Sequence, residues 1–225
     1  NDKLLTDNSK FFNILVWPYF LKKNIKYKKN NHIKYLIGPR FFVLDPNLKI
    51  KKNYENKNNL LLTCGGSDPN EYTIKFIEAL EQFDLKLNIN VVIGPKFSKN
   101  LIYNIKKRVK KSHHKYKLFY NSRNLSSLIN FSDLAISASG LTKYELFFSK
   151  TPAIVFSNTK DDHRLNAEFI RKSKYYDLGF EFDKNLILKY FTKFYFDKNF
   201  RKNLLKNSLL ELNLNGFQNL KKYII

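Results

Sequence analysis

"DLAISASGLTKYEL", residues 133–146, is an apolar run that stops at small polar residues and passes at once into a helical pattern. Leu134, Ala135 and Ile136 read as a buried strand. Ser137, Ser139 and Gly140 end it, and Leu141 and Thr142 open a helix that carries Glu145. Small residues leave room for a ligand at a strand's carboxyl end, and free main-chain N–H groups at a helix start attract anions. The N–H groups of 140–142, with the hydroxyls of Ser139 and Thr142, suit phosphate oxygens. The Glu145 carboxylate suits two adjacent hydroxyls, as on a ribose. It equally suits the helix dipole alone.

Outward from this stretch the same strand-then-helix alternation recurs. "LLLTC" (60–64), "INVVIG" (89–94), "YKLFY" (116–120) and "PAIVFS" (152–157) are short apolar runs of strand type. Between them, "NEYTIKFIEALEQF" (70–83) places Ile74, Ile77, Leu80 and Phe83 at helical spacing, and "SKNLIYNIKKRVKK" (98–111) is amphipathic. "NLSSLINF" (124–131) and "DHRLNAEFIRKS" (162–173) read as further helices, and the tail from 184 onward as mostly helical, with Ile187, Tyr190, Phe191 and Phe194 as core candidates. Five strands alternating with helices predict an α/β domain: a Rossmann-like parallel sheet covered on both faces. Residues 1–59 are less regular, and a boundary near 59 separates them from the domain at 60–225.

In such sheets ligands bind outside the carboxyl ends of the strands. The loop "CGGSDPNEYT" (64–73) has two glycines that let a backbone approach a ligand, and Ser67 and Asp68 are able to cap the following helix. Two readings stay open: an anion held at that helix start, or a tight, well-capped turn. It is not a P-loop, since no Gly-Lys-Ser/Thr follows. In "SNTKDDHRLNAEF" (157–169), Asp161, Asp162, His163 and Asn166 cluster early in a helix. His163 is a general acid or base, a sugar contact, or a plain surface histidine. Tyr120 either stacks on a base or is buried. His113 and His114, with no cysteine or convergent carboxylate beside them in sequence, make poor metal ligands, and neither metal nor cofactor is expected.

The formal charge is +22, from 41 Lys and Arg against 19 Asp and Glu. The excess is spread along the chain with many Asn, Ile, Phe and Tyr, as an A+T-rich coding bias would write it. No nucleic-acid motif is present, so a nucleic-acid partner is not expected. No apolar run approaches the roughly 20 residues that span a bilayer. The single cysteine, Cys64, excludes an internal disulfide and fits a reducing cytoplasm. The absence of methionine implies a start upstream of residue 1, so a missing N-terminal part is to be allowed for.

Taken together, "YLIGPRFFVLDP", "GGSDPNEYT", "NLSSLINFSDLAISASGLTKYEL", "TPAIVFS", "DDHRLNA" and "LNGFQNLKKYI" resemble, in order, the C-terminal half of GT-B-fold UDP-sugar enzymes. Within these the chain is most similar to the UDP-2,4-diacetamido-2,4,6-trideoxy-altropyranose hydrolases of pseudaminic acid biosynthesis and the related spore-coat polysaccharide biosynthesis proteins. The peptidoglycan N-acetylglucosaminyltransferase is a more distant relative. The resemblance implies UDP along the carboxyl edge of the sheet. Gly66 and Ser67 would face the diphosphate or sugar. Ser139, Gly140, Leu141 and Thr142 would hold phosphate, and Glu145 the ribose. Tyr120 and Leu125 would flank the uracil, and Asp162, His163 and Asn166 would approach the sugar or diphosphate. In the family a Gly- and His-containing loop of the other domain supplies the catalytic histidine. No match to it occurs here, and residues 1–20 look like the interdomain crossover. The resemblance thus implies a UDP-sugar-binding half whose base comes from a missing N-terminal domain or a partner chain. "DDHRLN" stands where the family has a "DNQ"-like step, which bears on the sugar.

Overall fold

The computed structural model describes residues 13–20, 31–51, 58–122, 124–206 and 212–224. Strands β1 (Ile14–Trp17) and β2 (Lys34–Ile37) form a separate parallel pair, followed by a 3-10 turn at Pro39–Phe41. The polar stretches 22–30 and 52–57 lie outside the described residues. From residue 59 the chain runs β3 (Asn59–Thr63), α1 (Tyr72–Leu80), β4 (Asn88–Ile93), α2 (Lys99–Val109), β5 (Lys115–Tyr120), α3 (Leu125–Phe131), β6 (Leu134–Ala138), α4 (Thr142–Phe148), β7 (Ala153–Phe156), α5 (Lys160–Ser173) and β8 (Tyr176–Asp177). Helices α6 (Lys184–Phe196), α7 (Lys198–Lys206) and α8 (Gly216–Ile224) complete it.

Strands β3 to β8 make one six-stranded sheet in the order β5-β4-β3-β6-β7-β8, every pair parallel. Every residue of β3, β6 and β7 is buried, so helices cover both faces, as uninterrupted apolar strands require. Counted within the sheet, the order is 3-2-1-4-5-6. Its direction reverses between β3 and β6, where α/β sheets open a crevice at the carboxyl ends. The five expected strands are all present. The sixth, β8, went unread because two residues carry no period. No helix among the described residues is long and apolar enough to cross a membrane.

Caps stop and start the helices locally. Ser98 accepts from Leu101 N at 3.1 Å ahead of α2, and Thr159 accepts from Asp162 N at 3.1 Å ahead of α5. Ile187, Phe191 and Phe194 of α6 are buried as their spacing predicts, and Tyr190 packs half-buried on the same core. That core also takes in Phe42, Leu44 and Leu48 from ahead of β3.

Candidate functional site

Two turns meet at the β3/β6 switch point. After β3, Gly65, Gly66 and Ser67 form an exposed turn, with Gly65 in the left-handed region at φ +84°. After β6 come half-buried Ser139 and exposed Gly140 and Leu141. The turns are adjacent: a Cβ built on Gly65 would lie 4.0 Å from that of Ala138.

The two helix starts differ. The buried Asp68 carboxylate accepts from Tyr72 N at 2.8 Å and Thr73 N at 2.9 Å. The expected free N–H groups at α1 are therefore taken, and of the two readings of this loop the capped turn holds at the helix start. Asp68→Ala is expected to lower stability by about 1–2 kcal/mol, the usual cost of losing a cap, read as a shift of the denaturant midpoint. Helix α4 has no such side-chain cap at Leu141.

Glu145 is half-buried in the first turn of α4. Burial, and next the charge of Asp45, push its carboxyl up, against the Thr142 hydroxyl bonded to it. Leu125 is the half-buried first residue of α3. Tyr120, 47% exposed at the end of β5, is not buried, and the Lys106 ammonium lies 5.5 Å from its ring centre.

Of the expected residues, Ser139, Gly140, Asp162 and Asn166 line one pocket of about 490 Å³. This is the size of a small-molecule site. Gly66, Ser67, Tyr120, Leu125, Leu141, Thr142 and Glu145 stand outside it, as does His163. The His163 Nδ1 is instead 3.4 Å from Asp177 Oδ2 of β8, and its ring is 5.8 Å from that of Phe180. This acid partner had no signal in the sequence, since β8 itself had none.

The pocket's opposite wall is Trp17, Tyr19 and Phe20, which follow or end β1 and were not singled out as site residues. Among the described residues the Trp17 indole Nε1 is buried without a hydrogen-bond partner. Lys143 was also missed. It is 4% exposed; its Nζ donates to Ser139 O at 2.5 Å and to Asn166 Oδ1. Among the described residues no carboxylate lies within ion-pair distance of it. Burial brings its pKa down to about 8, with the charge of Asp162 opposing. The available signal was its place on the Lys143, Tyr144, Leu146, Phe147 stripe, the buried face of α4.

At the other end of the sheet, Glu81 folds against His113 and His114, a convergent carboxylate that the sequence did not reveal. The Nδ1 of His113 is 3.3 Å from Glu81 Oε2. His114 is committed to the main chain: its Nε2 donates to Leu80 O at 2.8 Å and its Nδ1 accepts from Leu87 N at 3.4 Å.

No family model matches the chain. It is 35% identical over 160 residues to the uncharacterized protein MJ1062 of Methanocaldococcus jannaschii, covering 67% of this chain and 33% of that protein. It is 27% identical over 148 residues to the spore coat polysaccharide biosynthesis protein SpsG of Bacillus subtilis, covering 63% of this chain and 43% of that one. It is 32% identical over 139 residues to the Helicobacter pylori pseudaminic acid cytidylyltransferase and UDP-2,4-diacetamido-2,4,6-trideoxy-beta-L-altropyranose hydrolase, covering 60% of this chain and 24% of that one. The chain thus spans less than half the length of each of these relatives. Among solved structures, MurG of Acinetobacter baumannii superposes with a TM-score of 0.65 at 15% identity, over 96% of this chain and 61% of that one. The pneumococcal O-GlcNAc transferase GtfA, in complex with UDP and GlcNAc, gives 0.59 at 15% identity, over 98% of this chain and 46% of that one. The chain is a distant relative of the spore-coat and pseudaminic acid proteins and has the fold of GT-B glycosyltransferases.

Proposed function

We propose that this chain is the UDP-sugar-binding half of a nucleotide-sugar hydrolase of the surface-polysaccharide type. The observation that carries the reading is the meeting of two open turns, Gly65–Ser67 and Ser139–Leu141, at the sheet's switch point, with Glu145 one turn into the helix that follows. On this reading the turn before α4 holds phosphate, Glu145 accepts from the ribose hydroxyls, and Tyr120 and Leu125 flank the uracil. Asp162 and Asn166 meet the sugar or diphosphate from the pocket, whereas His163, turned toward Asp177, has only a peripheral role. The hydrolase named for the Helicobacter relative supports water as the acceptor. The anomeric C–O bond would break with its electron pair left on the β-phosphate oxygen. Water would supply the new oxygen on the sugar, and its proton would pass to a general base. We place that base in a preceding domain, for which the greater length of the relatives leaves room, and the whole site in the cytoplasm. The second reading, transfer of the sugar to another acceptor, is favoured by the superposition on a UDP-bound O-GlcNAc transferase. A third, UDP-sugar binding without turnover, fits a nucleotide half whose acceptor side lies elsewhere.

Calorimetry with UDP tests the binding claim. Saturable binding, weakened by about 1–3 kcal/mol in Glu145→Ala, is expected from the loss of a charged hydrogen-bond partner. No saturable binding by the wild-type chain overturns the reading. Product analysis with the longer protein separates free sugar from linked sugar, and so hydrolysis from transfer.

A further inference from the structure

Lys143 poses a question that the fold alone leaves open. A buried ammonium without an acid partner is costly, and such charges are found paired or facing a ligand. Here the side chain lies 4% exposed on the inner face of α4, where its neighbours Tyr144, Leu146 and Phe147 are apolar or aromatic. Two of its three N–H bonds go to neutral acceptors, Ser139 O and Asn166 Oδ1. The third has no hydrogen-bond acceptor among the described residues; the Tyr144 and Phe169 rings stand 5.0 and 5.3 Å from the ammonium, and the side chain lines the pocket. Trp17 lines the same pocket, and its Nε1–H, itself buried, has no hydrogen-bond partner among the described residues. A buried cationic donor with a spare N–H, lining a space of about 490 Å³, calls for an anionic, acceptor-rich guest.

We infer that Lys143 reads the distal phosphate of a nucleoside diphosphate and supplies the positive charge against which that phosphate leaves. This rests on the UDP-sugar reading above and adds to it a residue, a phosphate and a source of charge. Bonded to the carbonyl of Ser139, the ammonium stands directly behind the turn assigned to phosphate. On this inference the proximal phosphate sits on the 139–142 turn and the distal one meets the ammonium behind it. When the anomeric C–O bond breaks, the β-phosphate gains negative charge. A preplaced ammonium in a dry site stabilises that charge without reorganising.

The charged and titratable groups around the amine are few. Asp162 and Arg164 of α5, Tyr144 of α4 and Tyr19 of the N-terminal segment line the same pocket; the Tyr144 ring is 5.0 Å from the ammonium, and Arg164 is turned to Asp161 at 3.5 Å. With the free amine titrating near pH 8, a bound diphosphate that raises its pKa draws in a proton. UDP itself is fully ionised well above about pH 6.

The test is calorimetry of the chain with UDP and with UMP, for wild type and Lys143→Met, at pH 7 and again near pH 8.5 in two buffers of different ionisation heat. Wild type is expected to prefer UDP over UMP by on the order of 10- to 100-fold, the worth of a charged hydrogen bond. It is also expected to take up roughly half a proton or more with UDP at the higher pH. Lys143→Met should lose both while binding UMP as before. A lysine that merely ties α4 to Asn166 would change the melting temperature and neither readout. Undiminished UDP preference in the variant overturns the inference and leaves the nucleotide reading standing. Wild-type chain that binds no UDP removes both.

Discussion

Tyr144→Ala is expected to cost about 3–5 kcal/mol of stability, the range for deleting a large buried aromatic. Tyr144 is 1% exposed and is the meeting point of four parts of the chain. Its ring stacks on Phe42 at 5.0 Å and meets the edge of Phe169 from α5 at 4.9 Å. Tyr19 and Phe20 stand at 6.0 and 6.2 Å, and its hydroxyl accepts from Phe20 N at 3.3 Å. Tyr19 and Phe20 are a wall of the pocket, so the substitution should also loosen that wall and weaken any ligand seated against it. Tyr144→Phe removes one hydrogen bond and keeps the ring, for about 0.5–1.5 kcal/mol. Urea unfolding separates the two variants. A cost below about 1 kcal/mol for Tyr144→Ala would mean that the 13–20 segment does not depend on this ring.

Gly94→Ala is the second large effect. The added Cβ would stand 2.4 Å from both Gly65 O and Gly66 O, backbone atoms and not the far ends of flexible side chains. The same turn is tied to this corner by Lys96 N, which donates to Gly66 O at 2.9 Å. Overpacking of this kind costs about 1–3 kcal/mol. The 65–67 turn must move, and on the proposed reading UDP affinity falls with it. Gly66→Ala is the control: nothing lies within 4 Å of the Cβ it would add. Its stability should stay within about 0.5 kcal/mol of wild type. Equal effects from the two glycines would refute the close-packed corner.

The strands at 59, 88, 134 and 153 were legible because burial on both sheet faces leaves a nearly continuous apolar run between punctuating residues; the edge strand at 115, nowhere fully buried, was legible from its aromatic-rich run. The opening turn was legible for a related reason: Ser139 and Gly140 interrupt such a run where a carboxyl end must lie. At the loop after β3 the residue types were read rightly and their use only in part. Ser67 and Asp68 both suit a cap. Which one turns inward depends on the backbone of residues 68–71, where Asp68 and Glu71 both take positive φ. Once Asp68 had turned inward, the N–H groups expected for an anion were occupied.

Chain order, period and side-chain chemistry are local properties, and by themselves they determined the α/β class and the position of each loop at a strand's end. The pocket is not local. Phe20 N and Tyr144 Oη are bonded across 124 positions, and the wall at 17–20 faces Asn166 only because the chain returns there. Tertiary packing alone decided that Lys143 would be stripped of water, that His163 would find Asp177, and that Glu145 would stand outside the space lined by Asn166. Solvent exclusion sets the state of a charge, and it is a property of everything packed around a residue, which no window of neighbouring letters contains.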